Sequence, residues 1–244
     1  WMVRDPELKK VALWTYYKSA KRDPGLDEGA TTVAYLPDKG WFWYIPLSGD
    51  MVSVGIVAER DYLFNGSTKD HAEIFQREVQ NNEWIKEHLA EGEQTGEYRI
   101  TGEYSYRNKF CSIDGLVLAG DALGFLDPVF SSGVFLALKS GVMLADEIDQ
   151  VMKQGQPIKS SSFENYGKRM QSSIETMRKI VYAFYDKEFS FGDLVKRGDH
   201  LRSALTDCLV GNVDDQDFRE LFEAMSDLAE LPEPVEHGLA HASS

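Results

Sequence analysis

Residues 120–133 read GDALGFLDPVFSSG, a run that combines an acid, several glycines and two serines directly before an apolar segment. A glycine before Asp121 lets a ligand approach the backbone closely, and the carboxylate can accept hydrogen bonds from sugar-like hydroxyl groups. Ser131, Ser132 and Gly133 would open the following helix, where backbone N–H groups and the helix dipole attract an anion. The run therefore predicts a site for a ligand that carries both hydroxyls and electron-rich atoms.

A structural role is the alternative for each of these residues. Asp121 and Ser132 are residue types that commonly cap turns and helices, and for either one alone that role is the more frequent. Because they occur together, around a turn that leads into a long apolar helix, we favour the ligand site.

The longer stretch GDALGFLDPVFSSGVFLALKSG resembles the second flavin-binding motif of the class A flavoprotein monooxygenase superfamily. This resemblance implies that the aspartate at the strand end meets the ribityl chain of FAD. It also implies that the turn from DP to Gly faces the isoalloxazine ring. The cofactor-binding residues it indicates are Gly120, Asp121, Asp127, Pro128, Ser131, Ser132, Gly133 and Val134.

A second pattern, WFWYIP at 41–46, resembles the WxWxIP signature of flavin-dependent halogenases. Alternating aromatic residues in a strand also serve packing, which is the alternative interpretation of this stretch. The resemblance implies that Trp41 and Trp43 belong to the catalytic site, where they shape a tunnel wall that keeps an organic substrate away from the flavin hydroperoxide. Neither would transfer a proton, since an indole offers only an N–H donor.

The resemblance also implies a reaction and its partners. Reduced FAD and oxygen oxidise a bound chloride or bromide to hypohalous acid, which halogenates an electron-rich small-molecule substrate, and a separate flavin reductase supplies the reduced FAD. The halide would bind at Ser132 and Gly133, where N–H groups converge at a helix start.

The elements that must position these residues follow from the pattern of side chains. Four stretches rich in β-branched and aromatic residues predict antiparallel strands, with turns at 37–40 and 48–50; they are 11–18, 31–36, 41–47 and 51–58. Periodicity predicts one surface helix over 70–89 and a further strand over 97–106. The apolar run 115–119 predicts a fully buried strand that ends at Gly120-Asp121.

The second half of the chain is predicted to be mainly helical. In the apolar helix over 132–151, small residues recur every four positions on one face, so something is expected to approach that face closely; they are Gly133, Ala137, Gly141 and Ala145. Helices are also predicted over 162–186 and 214–231, and disorder over 232–244.

The fold class expected is α+β, with a mainly antiparallel sheet, a flavin-facing strand and helix, and C-terminal helices. The domains expected are a substrate-domain type unit at 1–108, a partial FAD-binding unit at 109–155 and a C-terminal helical region at 156–244.

Composition excludes several classes of function. The 244 residues are 43% apolar and 27% charged, as in folded globular proteins. A net charge of −14 without a basic stripe argues against a nucleic-acid partner. The longest apolar run, 134–145, is too short to span a bilayer, so we expect no membrane association and a cytoplasmic location. Cys111 and Cys208 fit a reducing compartment.

No metal site is expected, because the acidic stretches at 87–97 and 214–220 are typical of solvated faces. The five histidines are expected to be solvated as well; they are His71, His88, His200, His237 and His241. An aromatic cluster is expected to pack in a core, with a substrate pocket as the alternative; it comprises Tyr182, Phe184, Tyr185, Phe189 and Phe191.

The chain begins with Trp1 and contains no GxGxxG motif, so we expect that an N-terminal FAD-binding segment is missing. The family's relay lysine would lie in that segment, so neither Lys109 nor Lys139 is assigned this role. Two alternatives to the halogenase remain open. One is a flavin monooxygenase or geranylgeranyl-reductase-like enzyme that shares the Gly-Asp motif, and the other is a truncated, catalytically silent binding module.

Overall fold

A computed structural model of the chain describes residues 1–36, 40–66, 68–102, 104–213, 216–235 and 238–240. These residues form two compact units. The sheet unit comprises Pro6–Tyr104, and the helical unit comprises Trp1–Asp5 together with the residues from Ser105 onward. The expected division at 155 is not seen, because residues on both sides of it share one apolar core; its members are Cys111, Leu123, Met143, Phe163, Tyr166 and Met170.

The strands and helices occur in both units. The strands are β1 (Met2–Arg4), β2 (Lys10–Lys18), β3 (Thr32–Leu36), β4 (Gly40–Pro46), β5 (Met51–Glu59), β6 (Glu93–Gly102), β7 (Tyr106–Asn108), β8 (Phe110–Ile113), β9 (Leu116–Val117), β10 (Gly124–Phe125) and β11 (Leu239–Ala240). The helices are α1 (Arg60–Leu63), α2 (His71–Gln80), α3 (Glu83–Leu89), α4 (Gly133–Lys153), α5 (Glu164–Tyr185), α6 (Phe191–Lys196), α7 (Asp199–Leu209) and α8 (Arg219–Ser226). The predicted α+β class is confirmed.

The sheet unit is built on five antiparallel strands in the order β3-β4-β5-β2-β6. The four strands predicted from the early aromatic and β-branched stretches are confirmed, and β4 pairs with β5 from Gly40↔Ala58 to Pro46↔Val52. The predicted strand at 97–106 is instead two strands, β6 and β7, which belong to different units. The predicted turn at 37–40 lies largely outside the described residues.

One face of this sheet packs against α2 and α3 through a buried apolar core. The prediction of a single helix over 70–89 is wrong, because α2 ends at Gln80 and Asn82 caps the start of a second helix, α3. The side chain of Asn82 accepts a hydrogen bond from the N–H of Ile85, as Asp70 does from Ala72 and Glu73 at the start of α2. Two capped helices thus cover the sheet where one was expected.

His88 corrects the expectation that the histidines are solvated. It is only 3% exposed, and its ring stacks on Trp84 with 3.6 Å between the centroids. Its ring nitrogens lie 2.9 Å from the carbonyl oxygen of Trp84 and 3.1 Å from a carboxylate oxygen of Asp23. Because both nitrogens have partners, burial is compensated and the residue is structural.

The opposite face of the sheet carries tryptophans. Trp43 lies beside Gly55 in the register of β4 and β5, and Gly55 in turn lies beside Trp14 of β2. A Cβ atom at Gly55 would come within 2.3 Å of the Trp43 ring and 2.5 Å of the Trp14 Cβ. The indole of Trp43 therefore occupies the space that a side chain at residue 55 would need.

The helical unit contains two small sheets, β1-β7-β10 and β11-β8-β9. The prediction of a fully buried strand at 115–119 is wrong, because β9 is an edge strand of two residues and Leu116 is 50% exposed. The predicted disorder of 232–244 is also wrong for part of that stretch. Leu239–Ala240 pair in parallel with β8, and the N–H of Gly238 donates to the carbonyl of Asn108 at 2.9 Å.

The predicted helices at 132–151 and 162–186 are confirmed as α4 and α5. The small-residue face of α4 is approached closely only in part. Gly120 lies against Ala137, since a Cβ at Gly120 would be 3.3 Å from the Cβ of Ala137, whereas Gly141 and Ala145 are exposed. Within the described ranges no helix is both long and apolar enough to cross a membrane.

We predict that Gly55→Ala destabilises the protein by about 2 kcal/mol, because the new methyl group forces the rings of Trp43 and Trp14 out of place. Denaturant-induced unfolding, followed by circular dichroism, measures the change. Gly29→Ala is the matched control in the same unit, since a Cβ there meets no atom within 4 Å. Equal stability of the two variants would contradict this account of the tryptophan face.

Candidate functional site

The residues singled out at 120–133 lie in the helical unit, around a short 3-10 turn at Gly120–Ala122 and the start of α4. Gly120 has a φ angle of +54°, which favours glycine. Its N–H donates to Oγ of Ser140 at 2.8 Å, and the Ser140 hydroxyl donates to the carbonyl of Ala137 at 2.7 Å. The turn is thus tied directly to the buried side of α4.

The carbonyl groups of the same turn are held by side chains from β7. The Tyr106 hydroxyl donates to the carbonyl of Asp121 at 2.6 Å, and Nδ2 of Asn108 donates to the carbonyl of Ala122 at 2.6 Å. Burial, with a smaller contribution from the Asp121 carboxylate, raises the pKa of Tyr106, so its hydroxyl remains a donor at neutral pH. These bonds fix the backbone on both sides of the Asp121 side chain.

The side chain of Asp121 is exposed, and Asp121 lines one cavity together with Gly120 and Gly133. The cavity also includes Gly124, Phe125, Leu126, Leu136, Ala137, Met170 and Ile174. Its volume is about 10 Å³, which is room for roughly one water molecule. The Asp121 carboxylate and the start of α4 therefore lie on the rim of the same cavity. A flat ring could lie across this rim, but it is too large to enter the cavity.

The start of α4 leaves backbone donors on that rim. Ser131 has a left-handed φ of 54° and its N–H is used within the preceding turn, where it donates to the carbonyl of Pro128 at 2.8 Å. The N–H groups of Gly133 and Val134 belong to the first turn of α4, where a helix offers them no carbonyl partner. A Cβ at Gly133 would meet no atom within 4 Å, so this end of the helix is open.

Asp127 is placed differently from the other predicted cofactor-binding residues. It is 1% exposed, and its two carboxylate oxygens accept hydrogen bonds from the N–H of Val129 at 3.2 Å and the Tyr185 hydroxyl at 2.9 Å. Asp127 caps the 3-10 turn that begins at Pro128. Its carboxylate shapes the loop from inside and does not face the rim.

A second cavity, of about 60 Å³, lies on the side of Ser131 and Ser132. Its lining is otherwise mainly apolar and includes Phe130, Phe135, Leu136, Met177 and Leu209. Lys139 lies near its edge, with Nζ 3.4 Å from the carbonyl of Gly211 and 5.2 Å from the centroid of the Phe135 ring. The predicted residues Ser131 and Ser132 thus lie beside this cavity, whereas Gly120, Asp121 and Gly133 line the first one.

Trp41 and Trp43 belong to the sheet unit, whereas the residues on the cavity rim belong to the helical unit. Trp41 is 3% exposed, whereas Trp43 is half-buried and its Nε1–H donates to Oγ of Ser53 at 3.1 Å. The ring centroids of the two indoles are 6.2 Å apart. Both side chains are therefore packed, and the Trp43 N–H already has a partner.

Sequence reasoning missed the residues that hold the 120–122 turn, namely Tyr106, Asn108 and Ser140. Ser140 gave a signal, since it is a polar residue inside the apolar run 134–145 and is fully buried. Tyr106 and Asn108 gave none, because a short polar strand does not show which carbonyl groups it faces. No metal-binding group of three or more His, Cys, Asp or Glu side chains occurs in the part of the chain that the structure describes.

Comparison with known proteins identifies the family. The family model described as tryptophan halogenase matches residues 18–191, which is more than half of the chain. The chain therefore belongs to the tryptophan halogenase family. This confirms the family predicted from the WxWxIP and Gly-Asp stretches.

Curated relatives and solved structures agree with this assignment. The 1H-pyrrole-2-carbonyl-(peptidyl-carrier protein) chlorinase of Pseudomonas fluorescens is 29% identical over 199 residues, which cover 79% of this chain and 44% of the relative. The tryptophan 2-halogenase of Chondromyces crocatus is 29% identical over 180 residues, with 73% and 34% covered. The structure of a flavin-dependent brominase has a TM-score of 0.82 at 26% identity and covers 93% of this chain and 56% of that one. The chain thus spans about a third to just over half the length of these relatives.

We predict that Ser140→Ala destabilises the protein by about 1.5 kcal/mol, because the Gly120 N–H loses its acceptor and the turn loses its link to α4. Equilibrium unfolding in urea gives the difference. Ser203→Ala is the control, since Ser203 is exposed on α7. A Ser140→Ala chain as stable as the Ser203→Ala chain would show that the link is not important for the turn.

Proposed function

We propose that this chain is part of an FAD-dependent halogenase, which uses reduced FAD, oxygen and chloride or bromide to halogenate an electron-rich small molecule. The observation that carries the proposal is the shared rim, where the Asp121 carboxylate and the open first turn of α4 meet on one cavity. Membership of the tryptophan halogenase family and the flavin-dependent brominase neighbour support it.

The residues present fit a flavin. Asp121 offers an exposed carboxylate that accepts hydrogen bonds from the hydroxyls of a ribityl chain. Gly120 has a positive φ angle and lies against Ala137. Because it has no side chain, a ligand can approach the backbone beside that carboxylate closely. The N–H groups of Gly133 and Val134 offer donors to the electron-rich edge of a ring. Pro128, Ser131 and the buried Asp127 hold the loop that leads to these donors.

We place the halide at Ser132 and Gly133. Chloride and bromide lack directional acceptor groups, so they are best held by several N–H donors that point toward one place, and the positive end of the helix dipole adds to their attraction. The absence of a side chain at Gly133 lets an anion approach the first-turn amides directly. The αL conformation of Ser131 turns the chain sharply just before these amides.

Bound FAD, supplied in its reduced form by a separate flavin reductase, provides with oxygen the oxidising equivalents that convert halide to hypohalous acid. Trp41 and Trp43 would act by shape, because their indoles do not titrate and the Trp43 N–H is bonded to Ser53. Their assignment rests on the WxWxIP resemblance. We propose that they restrict an organic substrate so that halide, and not the substrate, is oxidised first.

We predict that Asp121→Asn weakens FAD binding about tenfold, since hydrogen bonds to a charged acceptor are worth more than those to an amide. Flavin titration followed by fluorescence gives the affinity. Asp146→Asn is the control, because Asp146 is an exposed carboxylate on α4 that lies away from the cavity lining. If both variants bound FAD as tightly as the parent chain does, Asp121 would not be part of the flavin site.

The function as a whole is tested by product analysis. The chain, alone and with a GxGxxG-containing nucleotide-binding segment supplied in trans, is incubated with FAD, a flavin reductase, NADH, oxygen and bromide. Phenols, indoles and pyrroles serve as substrates, and products are identified by mass spectrometry. We expect brominated products that require bromide, whereas hydroxylated products without bromination would assign the chain to the monooxygenase alternative.

Two glycine variants, one a test and the other its control, examine the halide site in this assay. Gly133→Ala places a methyl group beside the first-turn amides and should raise the bromide concentration needed for half-maximal product formation. Gly141→Ala lies two turns further along α4, also with no atom within 4 Å of the new Cβ, and should leave it unchanged. The same bromide requirement in both variants would place the halide elsewhere.

A further inference from the structure

The two faces of strand β7 have different partners. Side chains alternate along a strand, so Tyr106 and Asn108 project from one face and Arg107 projects from the other. The first face holds the Gly120–Ala122 turn, since Tyr106 and Asn108 donate to two of its carbonyl groups. On the second face, Arg107 is only 5% exposed. The contacts that fix Arg107 therefore also fix the strand that carries Tyr106 and Asn108.

Asp5 is the partner of Arg107 on this second face. It follows β1, and its N–H donates to the carbonyl of Ser105 at 2.9 Å, next to the register pair Val3↔Arg107. A carboxylate oxygen of Asp5 lies 3.6 Å from Nη1 of Arg107. In the described part of the chain Arg107 pairs with no other carboxylate, and its Nε atom has no hydrogen-bond partner. The buried guanidinium thus depends on Asp5 for compensation of its charge.

Helix α5 holds Asp5 in turn. The Asp5 carboxylate accepts a hydrogen bond from Nε of Arg178 at 2.7 Å and another from the Tyr182 hydroxyl. Arg178 also donates to Glu175 at 3.1 Å and to the carbonyl of Glu233 at 3.0 Å. Burial, with a further contribution from the bond to Asp5, raises the pKa of Tyr182, so its hydroxyl remains a donor at neutral pH. One carboxylate, with its side chain 2% exposed, therefore joins α5 to β7.

We propose that Asp5 is a positioning residue for the flavin site, because it fixes β7 through Arg107 and thereby fixes the Gly120–Ala122 turn that presents Asp121. A buried carboxylate shared by cations of two elements allows little movement, since displacing either cation leaves a buried charge without compensation. Asp5 acts through the strand and not by contact with a ligand. This inference rests on the proposed function, since it assigns a role at the flavin site.

The first test follows amide hydrogen exchange of Gly120 by NMR in the flavin-free chain. Asp5→Asn keeps the size of the side chain and removes its charge, so β7 should loosen and the hydrogen-bonded Gly120 N–H should exchange about tenfold faster. Glu78→Gln is the matched control in the sheet unit, because Glu78 is also a buried carboxylate that accepts from an arginine and a tyrosine, Arg77 and Tyr62. It should leave the exchange of Gly120 unchanged.

The second test measures the affinity for FAD by fluorescence titration. Asp5→Asn should weaken binding about fivefold, as expected for a residue that acts through a packed network. Tyr106→Phe, which removes the donor to the Asp121 carbonyl, should also weaken it. If Asp5 acts through the strand that carries Tyr106, the double variant loses less than the product of the two single losses. Glu78→Gln should bind FAD as the parent chain does.

An unchanged exchange rate of Gly120 in Asp5→Asn would overturn the inference. An equal acceleration at Leu205, a buried residue of α7 in the same unit, would also overturn it by showing a general loss of stability. Losses of FAD affinity that multiply fully in the double variant would have the same effect. Should Asp5→Asn fail to fold, Tyr182→Phe, which removes one bond to Asp5, carries both tests. A parent chain that binds no FAD would contradict the proposed function, whereas the exchange rates would still decide the role of Asp5.

Discussion

The short turn at Gly120–Ala122 is the constraint on which the candidate site depends. The N–H of Gly120 donates to Ser140 on α4, and the carbonyl groups of Asp121 and Ala122 accept from Tyr106 and Asn108 on β7. Because these groups are satisfied within the protein, the exposed carboxylate of Asp121 remains available for a ligand. A single glycine with a positive φ angle thus lets one strand, one turn and one helix end present an acid and backbone amides at the same rim.

Absent side chains have a comparable role in both units. Gly133 keeps the amide end of α4 open, and Gly55 leaves the space that the Trp43 indole occupies. In each case the absence of a side chain leaves space, for an indole ring at Gly55 and for access to backbone amides at Gly133, and the glycine is not needed for a turn. The buried Asp127 illustrates the opposite principle. Asp127 belongs to the stretch that resembles a flavin-binding motif, but its carboxylate accepts hydrogen bonds from the N–H of Val129 and the hydroxyl of Tyr185. It therefore stabilises the loop.

The sequence was sufficient to predict the strands of the sheet, because alternating aromatic and β-branched residues favour strands strongly. It was also sufficient to predict the family, because two stretches of the chain resemble that family's motifs. Predictions from the sequence were wrong where contacts between residues distant in sequence outweigh the local pattern. Asn82 ends one helical pattern and caps the next, and the apolar run at 115–119 lies on a sheet edge. His88 is buried by partners as remote in sequence as Asp23. Of the residues that hold the 120–122 turn, Ser140 gave a signal as a polar residue in an apolar run, whereas nothing in the local pattern showed that Tyr106 and Asn108 face this turn.

The pairing of Leu239–Ala240 with β8 also bears on self-association. Gly167 of α5 accommodates this segment, since a Cβ there would lie 2.0 Å from the carbonyl oxygen of Gly238. Without residues 238–240, the backbone of Phe110–Ile113 would present unpaired N–H and C=O groups along one border, and such borders recruit strands from other molecules. Residues 238–240 therefore protect this strand from pairing with other molecules, and removing them would promote aggregation.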